Sequence, residues 1–518
     1  MAVTVSGKNY TQISSCDTTS SGGTWSTGAA DSEQYKEGVA SLSATIKNAG
    51  LQSVTFTPSL ALDLSGIKHL RMQLIGNQGS KIDTLANGGI RFWVSDGTNT
   101  GYYYVAGSDT YQGGWINLVA DLSRNVDSGT KPTMTAITTM GFAINLTSST
   151  KNAVNTWWDN LCICDGLIAY GDDAGSPFGF QDIQDVEDDP SNGGWGVIRK
   201  IGGVYFITGE HEWGDSSSTN GCDFKEEGQV VVYEDRKVNS GLYKFSVVGN
   251  ITGITKFQLG AKSGTQGISG CVVRVQNLAQ AAKFNLDFDN ANIDTIKLYG
   301  STFLGASMTN LPIVASSKEA LNCSWESCGE VLGSTCVMKY SNFISANNRG
   351  LRISSTGTSH NKSDCNFISC GHGVHIDVGG ELDLNNMKFS GNTYDIENST
   401  SESVVINNKD GSDATTYENT GGGSTTINTP TTHSLTGLIN GSEVTYVRIS
   451  DTSVVFHVES VTGNETNYNY NWAGDVDVYI NIMHLNYNPI TIENITLTNT
   501  DSSIPVQQVE DPDYYNPT

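Results

Sequence analysis

Between residues 298 and 392 the hydrophobic and polar positions fall into a pattern that returns five times. A polar or sulfur-bearing residue, a spacer and a large aromatic follow one another in GSTF, NCSW, YSNF, DCNF and NMKF. The aromatics are Phe303, Trp325, Phe343, Phe367 and Phe389, at steps of 22, 18, 24 and 22 residues. A period in this range predicts stacked coils, here a right-handed parallel β-helix with turns of variable length. Two positions before each aromatic stand Ser301, Cys323, Ser341, Cys365 and Met387, and three after it Ala306, Cys328, Ala346, Cys370 and Asn392. These are mostly small or modest side chains that can stack from coil to coil, so the register holds at three positions.

The rest of the chain also reads as β structure. Residues 1–168 alternate in stretches such as GIRFWVSD, TGYYYVAG, WINLVADLS and MGFAINLT, broken by Gly, Ser and Asn turns, which predicts a β-sandwich. Residues 169–196 turn to Gly, Asp and Pro and read as an acidic linker. Alternation resumes at WGVIRKIGGVYFITG, so 197–412 is taken as the β-helix, its early coils serving as a cap. A second break at 413–424 precedes 425–518, a small C-terminal β-sandwich whose polar, Pro-punctuated end is expected to lie as an arm on a neighbour. No convincing amphipathic helix is found. The fold class is all-β.

Composition narrows the function. Among 518 residues, 29 basic against 54 acidic side chains give a formal charge of −25, which opposes binding to nucleic acid or to an anionic membrane. No apolar run is long enough for membrane insertion. The opening MAVTVSGKNYTQ shows no charged-then-apolar leader, and the expectation is a chain folded in a cytoplasm. The ten cysteines fit that setting as reduced core residues. Cys323 and Cys365, like Cys328 and Cys370, are expected two coils apart, about 10 Å, beyond the reach of a disulfide.

Candidate chemistry is sparse. Cys370, His372 and His375 lack the spacing of a structural zinc site, and Asp182, Asp185, Glu187, Asp188 and Asp189 lack that of an EF-hand; neither a metal nor a cofactor is assigned. On the β-helix, aligning Ile353, Ile376 and Ile396 as inward residues would stack Arg352, His375 and Asp395 in one outward ladder and Ser354, Asp377 and Glu397 in the next. Asp377 and Glu397, with His375, would be the acid–base set of a glycosidase if the chain were one. Routine cross-coil charge ladders give the blander account of the same residues. The first domain is richer in rings than one sandwich core needs. Trp93, Tyr103 and Trp115 are the candidates for stacking on sugar C–H faces.

In its order of features, EQYKEGVASLSATI, then GGWINLVADLS, then NTWWDNLCICDG, the first domain resembles carbohydrate-binding-module jelly rolls. The WWDN to AYGDDAGSPFGF junction, IRKIGGVYFITGE, the coils with DCNFISC, HGVHID and KFSGNTYDIEN, and TYENTGGGSTTINT together resemble β-helical virion proteins of tailed bacteriophages. That resemblance implies a virion component assembled in the host bacterial cytoplasm, a homotrimer contacting other virion proteins and a host cell-surface glycan. It transfers no catalytic residue. The expectation is therefore a non-enzymatic appendage or spike contributing to attachment. A tailspike polysaccharide depolymerase and a capsid decoration protein are the rivals.

Overall fold

The computed structural model describes residues 3–512 except 47, 68, 77–80, 109–113, 148–153, 165, 172–176, 188–197, 208–209, 215–221, 234–243, 249–254, 276–284, 289–292, 311–317, 334–335, 358 and 473. The chain divides into two compact units, Met1–Val331 and Leu332–Thr518.

The first unit opens with the antiparallel sandwich that the alternation predicts. One sheet runs Ile116–Asp121, His69–Gly76, Val154–Ile163, Ser41–Ile46, Ala29–Asp31. The other runs Ser128–Gly129, Thr100–Ala106, Ile90–Ser95, Thr139–Leu146, Gly50–Pro58, Gly23–Trp25. Their inner faces meet around Trp158, with Trp25 at 5.7 Å and Phe142 at 5.2 Å between ring centroids. Rings of this size bury enough apolar surface to dominate the core energetics.

Parallel coils follow within the same unit. The strand Gly166–Gly171 pairs antiparallel with Val3–Lys8 and parallel with Glu210–Trp213, so it starts a coil ladder directly from the sandwich. Val204–Ile207, Val230–Tyr233, Val272–Val275, Thr302–Leu304 and Ser324–Glu326 form one parallel ladder. Asp223–Glu226, Thr255–Leu259, Ile293–Tyr299 and Lys318–Leu321 form another.

The acidic stretch 169–196 is not wholly a solvated linker, and the expectation of no helix fails there. Phe180–Glu187 is helical and buries Phe180, Ile183 and Glu187. Phe180 packs on Tyr205, Trp213 and Phe224 at 5.1–5.4 Å between centroids, so the helix covers the aromatic interior of the first coils. The acids have local duties: the Asp182 carboxylate accepts from Gly179 N at 2.8 Å, half of a capping box. Asp185 accepts from the Gln181 amide at 2.7 Å, and buried Glu187 from Ile198 N at 2.8 Å. Asp188 and Asp189 lie outside the described residues.

In the second unit Asn342–Ile344, Asn366–Ile368 and Lys388–Ser390 pair in parallel with Phe343, Phe367 and Phe389 in register. Their rings stack at 4.9 Å with interplanar angles of 11° and 14°. In the first unit Phe303 faces Trp325 in the same manner, at 6.0 Å and 13°. What turns the chain on either side of these short strands is backbone handedness. The residues three before the aromatics, Gly300, Asn322, Tyr340, Asp364 and Asn386, all have φ between +48° and +57°. Those two after, Gly305, Ser327, Ser345, Ser369 and Gly391, have φ between +50° and +74°. Left-handed corners are cheapest for Gly, Asn and Asp, which is why those residues recur in the motif.

Parallel pairing in this unit runs past 412. Tyr417–Asn419 pairs with Tyr394–Asn398 and Ser424–Asn428 with Ser403–Lys409, so the stretch 413–424 belongs to coils. The Asp395 carboxylate fastens it by accepting from Thr415 N and Thr416 N at 2.9 and 3.1 Å.

The C-terminal sandwich has one sheet of Glu465–Asn471, Pro430–Thr436 and Ser502–Pro505. The other holds Val455–Ser460, Glu443–Arg448, Val476–His484 and Tyr487–Leu497. Ser502–Pro505 is no free arm: it pairs parallel with His433–Thr436, and the Gln508 side chain accepts from Ile439 N at 2.7 Å. Edge pairing satisfies backbone groups that an extended arm would leave to water.

Candidate functional site

The outward ladders of the second unit hold the candidate acid and base, but in a different register from the expected one. Arg349–Ile353 pairs with His372–Ile376, which pairs with Tyr394–Asn398. Arg352 faces His375 and His375 faces Glu397, while Ile376 faces Asn398 and Ile396 faces Val374. Asp395 is therefore not in the Arg352–His375 ladder; it is buried and turned to the Thr415–Thr416 backbone. The 22-residue step from Phe367 to Phe389, applied to Ile376, lands on Asn398 and was the signal that could have fixed this register.

Glu397 is the best-defined charge here, its side chain only 2% exposed. The Arg349 guanidinium donates to both of its oxygens, and Thr420 Oγ1 donates at 2.8 Å. His372 lies between two acids, Nδ1 3.6 Å from Glu397 Oε2 and Nε2 2.8 Å from Glu418 Oε2, and its ring stacks on Tyr394 at 5.6 Å. Burial alone would raise the Glu397 pKa. The hydrogen bonds from Arg349 and Thr420 and the charges of Arg349 and His372 outweigh it and hold the carboxyl at about 2. Asp377 is ion-paired with Arg352, and His375 Nε2 shares a hydrogen bond with Ser399 Oγ at 2.7 Å. Lys362, which burial lowers to about 8, donates its ammonium protons to the carbonyls of Gly333, Cys336 and His360. A glycosidase pairs a protonated acid with an ionised nucleophile or base; Glu397 is excluded from the first role by its ionised state, and in the second its oxygens are already taken by Arg349 and Thr420.

On the first unit, strand parity decides the sugar-stacking candidates. Phe92 faces Tyr103 and both are fully buried, so Tyr103 is a core residue and not an outward one. Trp93 is 8% exposed because Ile90–Ser95 is buried on both faces, which withdraws it too. Trp115 is half-buried, and its carbonyl accepts from Arg199. Tyr102 and Tyr104 are also partly open, with the Arg91 guanidinium 5.7 and 4.6 Å from their centroids. Arg91 was not singled out from sequence. Its donors go to the carbonyls of Gly88 and Asn87, so it props the two rings and is not itself open to a ligand.

Each solenoid thiol of the motif reaches back to a carbonyl of the coil before it: Cys323 to Leu298, Cys328 to Phe303, Cys365 to Met338 and Cys370 to Phe343, at 3.1–4.0 Å. Among the described residues no group of three or more His, Cys, Asp and Glu side chains is placed to hold a metal ion. No helix among them is long and apolar enough to cross a membrane.

A scan against protein-family models gives no match, nor does a comparison with curated proteins. Among solved structures the chain is similar to the catalytic domain of GH87 alpha-1,3-glucanase. In one complex with nigerose the identity is 11% over 82% of this chain and 75% of that one, with a TM-score of 0.18. In a complex with tetrasaccharides the identity is 10% over 81% of this chain and 98% of that one, with a TM-score of 0.17. At these values the likeness carries no inference about chemistry or ligand.

Proposed function

We propose that this chain is a non-enzymatic structural protein of a tailed-phage virion, a stiff solenoid appendage that contributes to attachment at a host-surface glycan. The observation that carries the non-enzymatic part is that both members of the candidate pair are already engaged: buried Glu397 has both oxygens bonded by Arg349, and Asp377 is ion-paired with Arg352. The scaffold part is supported by the stacked rings and parallel ladders, in which each coil is braced by its neighbours. Placement on a virion, a homotrimeric state and contacts with other virion proteins are supported by the sequence resemblance. The rival is a polysaccharide depolymerase acting through Asp377, Glu397 and His375.

The test is incubation of purified protein with host capsule or lipopolysaccharide, assayed for new reducing ends and unsaturated sugars. The expected result is binding without turnover. Turnover abolished by Asp377→Asn or Glu397→Gln would overturn the reading. A cryo-EM map of the particle checks the placement.

A further inference from the structure

The C-terminal sandwich carries a cavity of about 500 Å³ that the solenoid chemistry does not use. Its wall is aromatic: Phe456, Tyr470 and Trp472 contribute rings, with Arg448 and Asp475 beside them. The volume lies within the range of small-ligand sites, about 300–1,000 Å³.

The rings are held in place before any ligand arrives. His457, Tyr468 and Tyr470 form a column with centroid spacings of 4.6 and 5.3 Å, and the Tyr470 hydroxyl donates to Thr498 O. Trp472 is pinned twice, by its backbone N to Thr429 O at 2.6 Å and by its indole N–H to Asp475 Oδ1 at 3.0 Å. Fixed rings lose little entropy on binding. Arg448 lies 5.0 Å over Phe456 and makes no ion pair among the described residues, which leaves guanidinium donors for a ligand. Asp475 is exposed and uses one oxygen on Trp472. Ring platform, donor and acceptor thus line one cavity.

A second cavity of about 380 Å³ shares Tyr470 and Asn471 with the first and continues onto Asn407 and Asn428. These amides form a ladder, Asn471 to Asn428 and Asn428 to Asn407, each step 3.4 Å. Carboxamides read hydroxyl groups in both directions, since each has donors and acceptors; with Asn407 Nδ2 donating to Glu381 and Asp383 and Asn471 Oδ1 accepting from Thr429 N, the capacity left for a ligand is greatest at Asn428.

We infer that these two cavities form an extended glycan site, a pyranose stacking on Tyr470 and Trp472 and the next sugar hydrogen-bonding along the Asn471–Asn428–Asn407 ladder. The site takes a neutral hexose chain, because the carboxylates acting on its lining, Asp475 and Asp501 on Tyr470 and Asp451 beside Arg448, outnumber the one guanidinium, and a chain of charge −25 repels polyanions. This inference rests on the attachment reading and gives it a location.

The experiment is an array of neutral tetra- to hexasaccharides of glucose, galactose and mannose beside uronic-acid oligomers, probed with the full chain. Hits are then titrated by calorimetry. Neutral oligomers are expected to bind, with Trp472→Ala weakening them at least about tenfold, a loss of about 1.4 kcal/mol. Trp472→Phe should restore most of the affinity, and Asn428→Ala should weaken longer oligomers more than short ones. Neutral glycan binding unchanged in Trp472→Ala and Asn428→Ala would overturn this site and leave the attachment reading standing elsewhere on the chain. Binding of uronic-acid oligomers alone would overturn the neutral assignment. Silence across host-derived polysaccharides as well as the array would remove both.

Discussion

At the scale of single residues, the chain is shaped by where left-handed backbone falls. Tyr340 occupies a corner with φ +55° where its equivalents are Gly300, Asn322, Asp364 and Asn386, and it is 38% exposed. A bulky L-residue there costs about 1 kcal/mol relative to one that tolerates the region. Tyr340→Asn should therefore raise the unfolding free energy by roughly 0.5–1 kcal/mol in a denaturant titration. Glu397 gives a pH signature. Its folded pKa of about 2 lies below the ordinary 4.5, so its stabilisation is complete above about pH 4.5 and is lost as pH falls towards 2. Glu397→Gln should lose roughly 2–3 kcal/mol at pH 6 and much less at pH 3, read by chemical unfolding at both values. Equal losses at the two pH values would show that packing, not charge, explains Glu397. The ten cysteines are buried and unpaired with one another, so thiol titration of unfolded, unreduced protein should count close to ten.

At the scale of elements, the unit of stability is the coil and its stacked ring. Phe367 lies between Phe343 and Phe389 at 4.9 Å on each side and is fully buried. Phe367→Ala should cost about 3–5 kcal/mol. Hydrogen exchange should accelerate first in Asn342–Ile344 and Lys388–Ser390, because contacts in a solenoid run only between neighbours. Unchanged exchange there would mean that the ring column does not brace the coils. These inward positions were legible in the sequence because a buried site admits few residue types, and the same type returned at each turn of the chain. The outward ladder was less legible. Turns of different length separate the strands, and an outward position accepts almost any polar residue, so Ile396 could be aligned with Ile376 although hydrogen bonding puts Asn398 there. The helix Phe180–Glu187 escaped notice for a related reason. Eight residues hold too few apolar positions to show a period, and its acids look like a solvated run until their backbone partners are known.

At the scale of the whole molecule, charge and repetition govern behaviour. A formal charge of −25 makes the folded chain self-repelling at low salt, and screening relieves this within a Debye length of about 10 Å at 0.1 M. Melting temperature should rise between about 10 and 150 mM salt, measured by calorimetry, and a fall would show that local ion pairs such as Arg349–Glu397 outweigh the global term. What the sequence determined by itself is the all-β solenoid between two sandwiches and the identity of its inward rings, because burial selects residue type and repeats that selection with every coil. What only the tertiary structure decided is which outward side chains meet. Glu397 is bound by Arg349, Tyr103 turns into the core, and Tyr470 and Trp472 come together over a cavity. Those pairings depend on strand register, on the cover over each face and on where distant turns close, and of these only the register leaves a trace in the spacing, the 22-residue step from Phe367 to Phe389.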